Sequence, residues 1–274
     1  MPLLMGVLNV TPDSFYDGGR YLEADAAERR VEALLAQGTD IIDIGAESTR
    51  PGSASVPPIE QIRRLAPAVA RGVAHGAFVS VDTTSAQVAE HCLARGVRMV
   101  NDVSCLSEPR LAGVTAEAGG WLVIGHSRAP MSEMSGFSQW PDDDYADIVR
   151  DVMEDWGKAR DTAIAEGMPL ERLVFDPGLG FSKNARHCYS LLARLDEFRS
   201  LGVPMLIGPS RKSFIAVVDG SAVDDRLGGT ISSCLIGAQA GAAAVRVHDV
   251  APVRQALLVW QRSRRQESGG TEHA

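Results

Sequence analysis

Eight short apolar runs, each followed by an amphipathic stretch, make this 274-residue sequence an α/β chain of the (β/α)8 TIM-barrel class. Three observations carry that reading. The alternation repeats from one end of the chain to the other. The runs are almost continuously apolar, as parallel strands buried on both faces require. Eight such units in about 260 residues match the size at which this barrel closes. A doubly wound sheet is the competing arrangement, but no G-x-G-x-x-G follows the first run.

The elements follow in order. Residues 3–10 (LLMGVLNV) form the first strand, which runs into the amide Asn9 and then into a Thr-, Pro-, Asp-, Ser- and Gly-rich loop through Gly19. A tight turn would need none of that chemistry. Residues 23–38 place apolar side chains three and four apart and end on glycine, a helix with its C-capping residue. The second strand, 39–47 (TDIIDIGAE), and the helix 58–76 repeat the pattern. Strand 77–83 (AFVSVDT) leads to helix 85–96, strand 97–104 (VRMVNDVS) to helix 109–119, and strand 121–126 (WLVIGH) to helix 144–167. Strand 172–178 (RLVFDPG) precedes helix 188–202, strand 204–210 (PMLIGPS) precedes helix 227–241, and strand 243–249 (AAVRVHD) precedes helix 251–263. Residues 1–264 read as one domain, and the polar, aperiodic end 265–274 reads as a disordered tail.

Composition limits the functions available. With 27 basic and 35 acidic residues the formal net charge is −8, which argues against non-specific binding to nucleic acid or an anionic membrane surface. An anionic substrate would need its own local cations. Four cysteines, Cys92, Cys105, Cys188 and Cys234, lack the short paired spacing of a zinc site or the density of a disulfide scaffold, which fits a reducing, cytoplasmic compartment. No leader with a basic start and no membrane-spanning apolar stretch is legible.

The strand ends point to an enzyme. In order they carry Asn9, Glu47 with Ser48-Thr49-Arg50, Asp82, Asn101-Asp102, His126, Asp176, Ser210-Arg211-Lys212, and Arg246 with His248. Barrel active sites are built at the C-terminal ends of the strands. Each residue alone has a plain alternative: Asp82 or Asp102 as a cap, His248 as a satisfied core histidine. Eight polar strand ends together do not.

Seven segments carry a family resemblance: MGVLNVTPDSFYDGG, DIIDIGAESTRPGS, VSVDT, VNDVS, DPGLGFSKNARHCYSLL, IGPSRKSFI and AAVRVHDV. In unbroken order from residue 5 to about residue 250, the chain resembles the dihydropteroate synthase family of pterin-binding enzymes. The resemblance implies a barrel that joins 6-hydroxymethyl-7,8-dihydropterin diphosphate to 4-aminobenzoate and releases pyrophosphate with the help of Mg²⁺. It also implies a homodimer formed through the last helices.

Matched residue by residue, Asn9 is implied as the Mg²⁺ ligand, since a hard cation that keeps most of its waters suits one neutral oxygen. Asp13 to Gly19 would then be a lid whose glycines allow closure. Asp176 is implied as the pterin anchor, its two oxygens accepting from a ring N–H and the exocyclic amine; the alternative is a turn aspartate before Pro177-Gly178. Asn101 would meet the opposite ring edge, Asp82 would oppose developing positive charge, and Lys212 would reach the ring carbonyl side. Arg246 and His248, on one face of the last strand, with Thr49 and Arg50, are implied to hold diphosphate. Arg211 would point away as loop support. For aminobenzoate the pattern implicates Phe15, Thr49, Pro51, Phe181, Lys212 and Ser213, an apolar slot with a donor at one end; Phe181 could equally fill core.

The match has departures. Gly125 stands where the family has a methionine over the pterin, Ser182 replaces a small Gly or Ala, and Cys188 replaces an Asn. The slot residues imply that sulfonamides bind, whereas DGGRYLEADAA and the HS of IGHSRAP resemble the insensitive members. With no Ser-His-Asp set or metalloprotease motif, covalent catalysis has no agent, and dissociative substitution supported by the electron-rich dihydropterin is the mechanism expected. A pterin-dependent methyltransferase and a non-catalytic pterin-binding paralogue are the competing functions.

Overall fold

A computed structural model describes residues 1–10, 20–47, 56–130, 133 and 140–269. Its strands are β1 (Leu3–Asn9), β2 (Ile41–Gly45), β3 (Phe78–Asp82), β4 (Met99–Asp102), β5 (Trp121–Gly125), β6 (Leu173–Asp176), β7 (Leu206–Ile207) and β8 (Ala244–Val247). All pair in parallel in the order β6-β5-β4-β3-β2-β1-β8-β7. Between β6 and β7 the ring closes through one bridge, Phe175 with Met205, and the Phe175 N–H donates to the Pro204 carbonyl at 2.9 Å. β7 is short because Pro204 and Pro209, which flank it, have no N–H to give a ladder.

The helices are α1 (Arg20–Ala36), α2 (Pro58–Ala74), α3 (Ala86–Leu93), α4 (Arg110–Glu117), α5 (Ile148–Ala165), α6 (Ala185–Ala193), α7 (Ser213–Asp219), α8 (Leu227–Ala240) and α9 (Val250–Gly269). Three differ from the sequence expectation. The single helix expected over 188–202 is α6 followed by a 3-10 helix, Leu195–Leu201, with Arg194 leaving helical geometry at the junction and binding Glu197 and Asp147. α7 is additional; its run SFIAVVD lies between the expected strand 204–210 and the expected helix 227–241 and had no element assigned to it. α9 continues to Gly269, five residues into the stretch read as a tail.

Alternation along each strand divides the core in two. Outward residues such as Leu4, Leu8, Ile42, Ile44, Val79, Val81, Leu122, Ile124 and Val245 pack against the helices in one large cluster. Inward residues from the strand starts, Met5, Ile41, Met99, Val123, Val174, Leu206 and Ala244, form a separate apolar plug inside the barrel. Two residues further along β2, β4, β6 and β8 the inward positions become polar, and that change locates the site.

Candidate active site

The register sets polar side chains in a row at the strand ends. Asn9 pairs with Gly45, Gly45 with Asp82, and Asp82 with Asn101. A side chain at Gly45 would come within 3.5 Å of Asn9 Oδ1 and 3.6 Å of Asp82 Oδ2, so the glycine leaves these two oxygens a common corner. On the far side Gly208 does the same: a Cβ there would lie 3.8 Å from that of Arg246 and 3.9 Å from Asp176 Oδ2.

Asp43, which the strand-end argument passed over, is at the centre. Its Oδ2 accepts from Arg246 Nε at 2.7 Å and from Asn101 Nδ2 at 3.1 Å, while Arg246 Nη2 donates to Asp82 Oδ2 at 2.7 Å. Asp43, Asp82, Asn101 and Asp176 are all buried. Burial pushes the Asp82 carboxyl up to about 7, with Arg246 working against that shift and Asp43 adding to it. The Arg246 guanidinium is held above its usual range: burial disfavours its charge, and the two carboxylates more than compensate. Asp43 Oδ1 and Ser80 Oγ are buried without a hydrogen-bond partner. Orphaned polar atoms of this kind are costly unless something satisfies them.

Asp176 takes the turn role of its alternative reading with one oxygen only. Its Oδ1 accepts from the Gly178 N–H at 2.7 Å, as a turn aspartate would, while Oδ2 lies beside the open inner face of Gly208. Burial raises its carboxyl above the usual range, and Lys212 is the main opposing charge. Lys212 donates to the Leu179 carbonyl and holds its ammonium 4.2 Å from the centre of the buried Phe181 ring, a cation–π contact. Burial lowers the Lys212 amine to about 8. Ser213 opens α7 directly after it.

His248 differs from the expectation of a cation. Burial, then Arg246, lowers it to about 4, so it is neutral near pH 7 and offers hydrogen bonds instead of charge; its Nδ1 is 3.0 Å from Ser210 Oγ. With Asn9, Arg29 and Arg30 it lines a cavity of about 460 Å³ beside β1. Arg211 points away as expected, gripping Asp249 with two bonds of 2.9 and 2.7 Å. Asp102 is not the helix cap of its plain alternative: it accepts from the Ser104 and Leu106 N–H groups and so holds the loop after β4, while α4 begins after Pro109. Phe15, Thr49, Arg50 and Pro51 lie outside the described residues.

The departure at Gly125 has a steric basis. A Cβ there would be 3.0 Å from the Asp102 carbonyl oxygen, so a larger residue requires the end of β4 to move.

Residues 5–248 match the family model of the pterin binding enzymes. A dihydropteroate synthase of Mycobacterium leprae is 42% identical over 93% of this chain and 91% of its own length. A probable bifunctional folylpolyglutamate synthase/dihydropteroate synthase of Haloferax volcanii is 41% identical over 90% of this chain, which spans only 29% of that longer protein. The crystal structure of Xanthomonas albilineans dihydropteroate synthase with 4-aminobenzoic acid superposes with a TM-score of 0.88 at 38% identity, covering 96% of this chain and 93% of that one. The chain belongs to the pterin binding enzyme family and, within it, to the dihydropteroate synthases.

Proposed function

We propose that this chain is a transferase joining 6-hydroxymethyl-7,8-dihydropterin diphosphate to 4-aminobenzoate, with 7,8-dihydropteroate and pyrophosphate as products. The observation that carries the reading is the charge balance at the barrel mouth. Three buried carboxylates, Asp43, Asp82 and Asp176, converge where Arg246 and Lys212 are the adjacent cations, and Asp43 Oδ1 has no partner. Such a site favours a ligand with N–H donors and the capacity to become cationic.

Asp176 receives the donor edge of the pterin and Asn101 its other edge. The C–O bond to diphosphate breaks with its electron pair leaving on the diphosphate. The amine lone pair of aminobenzoate then forms the C–N bond and the amine proton passes to water. Asp82 and Asp176 favour the pterin cation, while His248, as a hydrogen-bond donor, and Arg246 receive the diphosphate. For Arg246 this means leaving at least one of its carboxylates. Phe181 and Lys212 wall and end the aminobenzoate slot.

Mg²⁺ suits the same corner. Asn9 Oδ1 and the Asp82 carboxylate are hard oxygen donors that both border the open side of Gly45, and no group of three metal-ligating side chains occurs among the described residues, so diphosphate and water would complete the shell. Bound there, the ion would neutralise charge developing on the leaving group. Asn9 would orient it.

A cytoplasmic homodimer completes the proposal. All four thiols are free, and apolar side chains remain exposed on α7, α8 and α9, including Val218, Ile236 and Val259. No helix among the described residues is long and apolar enough to cross a membrane. Sedimentation of the purified chain reads the oligomeric state.

Pyrophosphate release tests the function. Release that needs both the pterin diphosphate and 4-aminobenzoate, and that stops with a chelator, is the expected result. Binding of pterin without any release would mark a non-catalytic paralogue, and methyl transfer would mark the other rival. Growth of a sulfonamide-treated host that expresses the chain would show an insensitive slot.

A further inference from the structure

The loop after β6 is stitched to the loop after β5 by side chains that the reaction does not use. Ser182 has a left-handed backbone, φ +46°, which a residue with a side chain adopts only when its surroundings hold it there. Its Oγ accepts from the N–H groups of Arg128 and Ala129 at 3.0 and 3.1 Å and lies 3.1 Å from Ser127 Oγ. Ser127 gives its own hydrogen to the Ala129 carbonyl at 2.7 Å, so Ser182 must be the donor between the two hydroxyls. Every hydrogen-bonding position on Ser182 Oγ is therefore filled. Tyr145 OH donates to the Ser182 carbonyl at 2.9 Å.

Lys183 is equally committed. It is 1% exposed, and its Nζ reaches His126 Nδ1 at 2.8 Å, the Phe181 carbonyl at 3.0 Å and the His126 carbonyl at 3.4 Å. Burial lowers this amine to about 7, and in its ammonium form three hydrogens meet three neutral acceptors. Since His126 Nδ1 accepts, its Nε2 carries the proton and donates to Asp155 Oδ2 at 3.3 Å. Gly178 presses on the same strand end: at its φ of +67° a Cβ would stand 2.0 Å from the His126 carbonyl oxygen. Between these anchors lies Phe181, whose carbonyl is bound by Lys183 and whose ring meets Lys212.

We propose that Ser182 and Lys183 are positioning residues that lock Phe181 against the loop after β5 and thereby set the affinity for 4-aminobenzoate. The inference rests on the reading of Phe181 as a wall of the aminobenzoate slot. It assigns the two residues no contact with substrate. Holding the aromatic wall in one place before aminobenzoate arrives removes an ordering cost from binding, the usual gain from preorganisation.

Ser182→Gly is the informative variant, because it removes the hydroxyl and the backbone strain together and so keeps the fold. Ser182→Ala removes the hydroxyl alone. Both are expected to raise KM for 4-aminobenzoate about tenfold, the equivalent of about one strong hydrogen bond, while kcat and the calorimetric Kd for the pterin stay within about twofold. Lys183→Met is expected to move the same constant. Phe181→Leu is measured alongside. If it leaves KM for aminobenzoate unchanged, the reading of Phe181 fails and the inference falls with it. If Phe181→Leu raises KM and the Ser182 variants do not, the reading stands and the inference is overturned. A rise in the Gly variant without one in the Ala variant also overturns it, since backbone freedom and not the hydroxyl would then set the slot.

Discussion

The lower and upper halves of the barrel interior are built by the same strands on the same face, yet they obey opposite rules. Below, Met5, Ile41, Met99, Val123, Val174, Leu206 and Ala244 close the barrel with an apolar plug that needs no partner. Above, two residues along on β2, β4, β6 and β8, the inward positions are Asp43, Asn101, Asp176 and Arg246. The lower layer is stabilised by removing apolar area from water. The upper layer gathers carboxylates that would be more stable dispersed. A fold under selection for stability alone would have continued the plug upward, so the polar layer marks where binding is bought at the expense of stability.

Removing Arg246 breaks the contrast most severely. In Arg246→Met, Asp43 and Asp82 remain buried without their cation, and a loss of about 3–5 kcal/mol is expected in denaturant unfolding near neutral pH. The pH dependence has a definite sign. The Asp82 carboxyl is raised to about 7, so its share of stability is present in full below the unfolded value of about 4 and is lost as pH rises through about 7. The deficit of the variant is therefore largest above that pH and shrinks as the solution is acidified toward it. A deficit independent of pH would mean that the carboxylates find other partners.

Asp176→Asn comes next, with the effect on binding and not on folding. The amide offers one acceptor where the carboxylate offers two, and pterin binding measured by calorimetry should weaken by about 2–5 kcal/mol with the unfolding midpoint nearly unchanged. Near-normal affinity would remove Asp176 from the site. The third expectation concerns rate. Because ionised Asp82 is the form that favours the pterin cation, kcat/KM for the pterin diphosphate should fall as pH drops through about 7, and that break should be absent in Asp82→Asn. The smallest effect lies in the lower layer. Ile41→Val should cost about 0.5–1.5 kcal/mol of stability and leave pterin affinity unchanged, which separates the two layers by measurement.

Much of this was legible in the chain. Strands surrounded on both faces read as apolar runs, and all eight were visible, because burial leaves a direct imprint on residue type. β7 was legible in place but not in length: PMLIGPS looks like seven residues of strand until Pro204 and Pro209 take their N–H groups out of the ladder. α7 was hidden because SFIAVVD is too short for helical periodicity to show. Asn101, Asp176, Lys212 and Arg246 were marked by strand-end position and motif. Asp43 was not, since it lies mid-strand in an apolar run where a lone acid has no local signal; only the barrel brings Arg246, 203 residues away, to its side. Lys183 was missed for the same kind of reason. In sequence a loop lysine reads as solvent-facing, and its burial depends on three acceptors that two residues, His126 and Phe181, provide.

A crystal structure with the pterin diphosphate and Mg²⁺ bound tests the central claim most directly. The account predicts the pterin ring between Asp176 and Asn101, within hydrogen-bond distance of both, with the diphosphate toward Asn9 and His248 and with Arg246 turned away from at least one of Asp43 and Asp82. A pterin held anywhere else, or bound there with both Arg246 contacts of 2.7 Å intact, would contradict it.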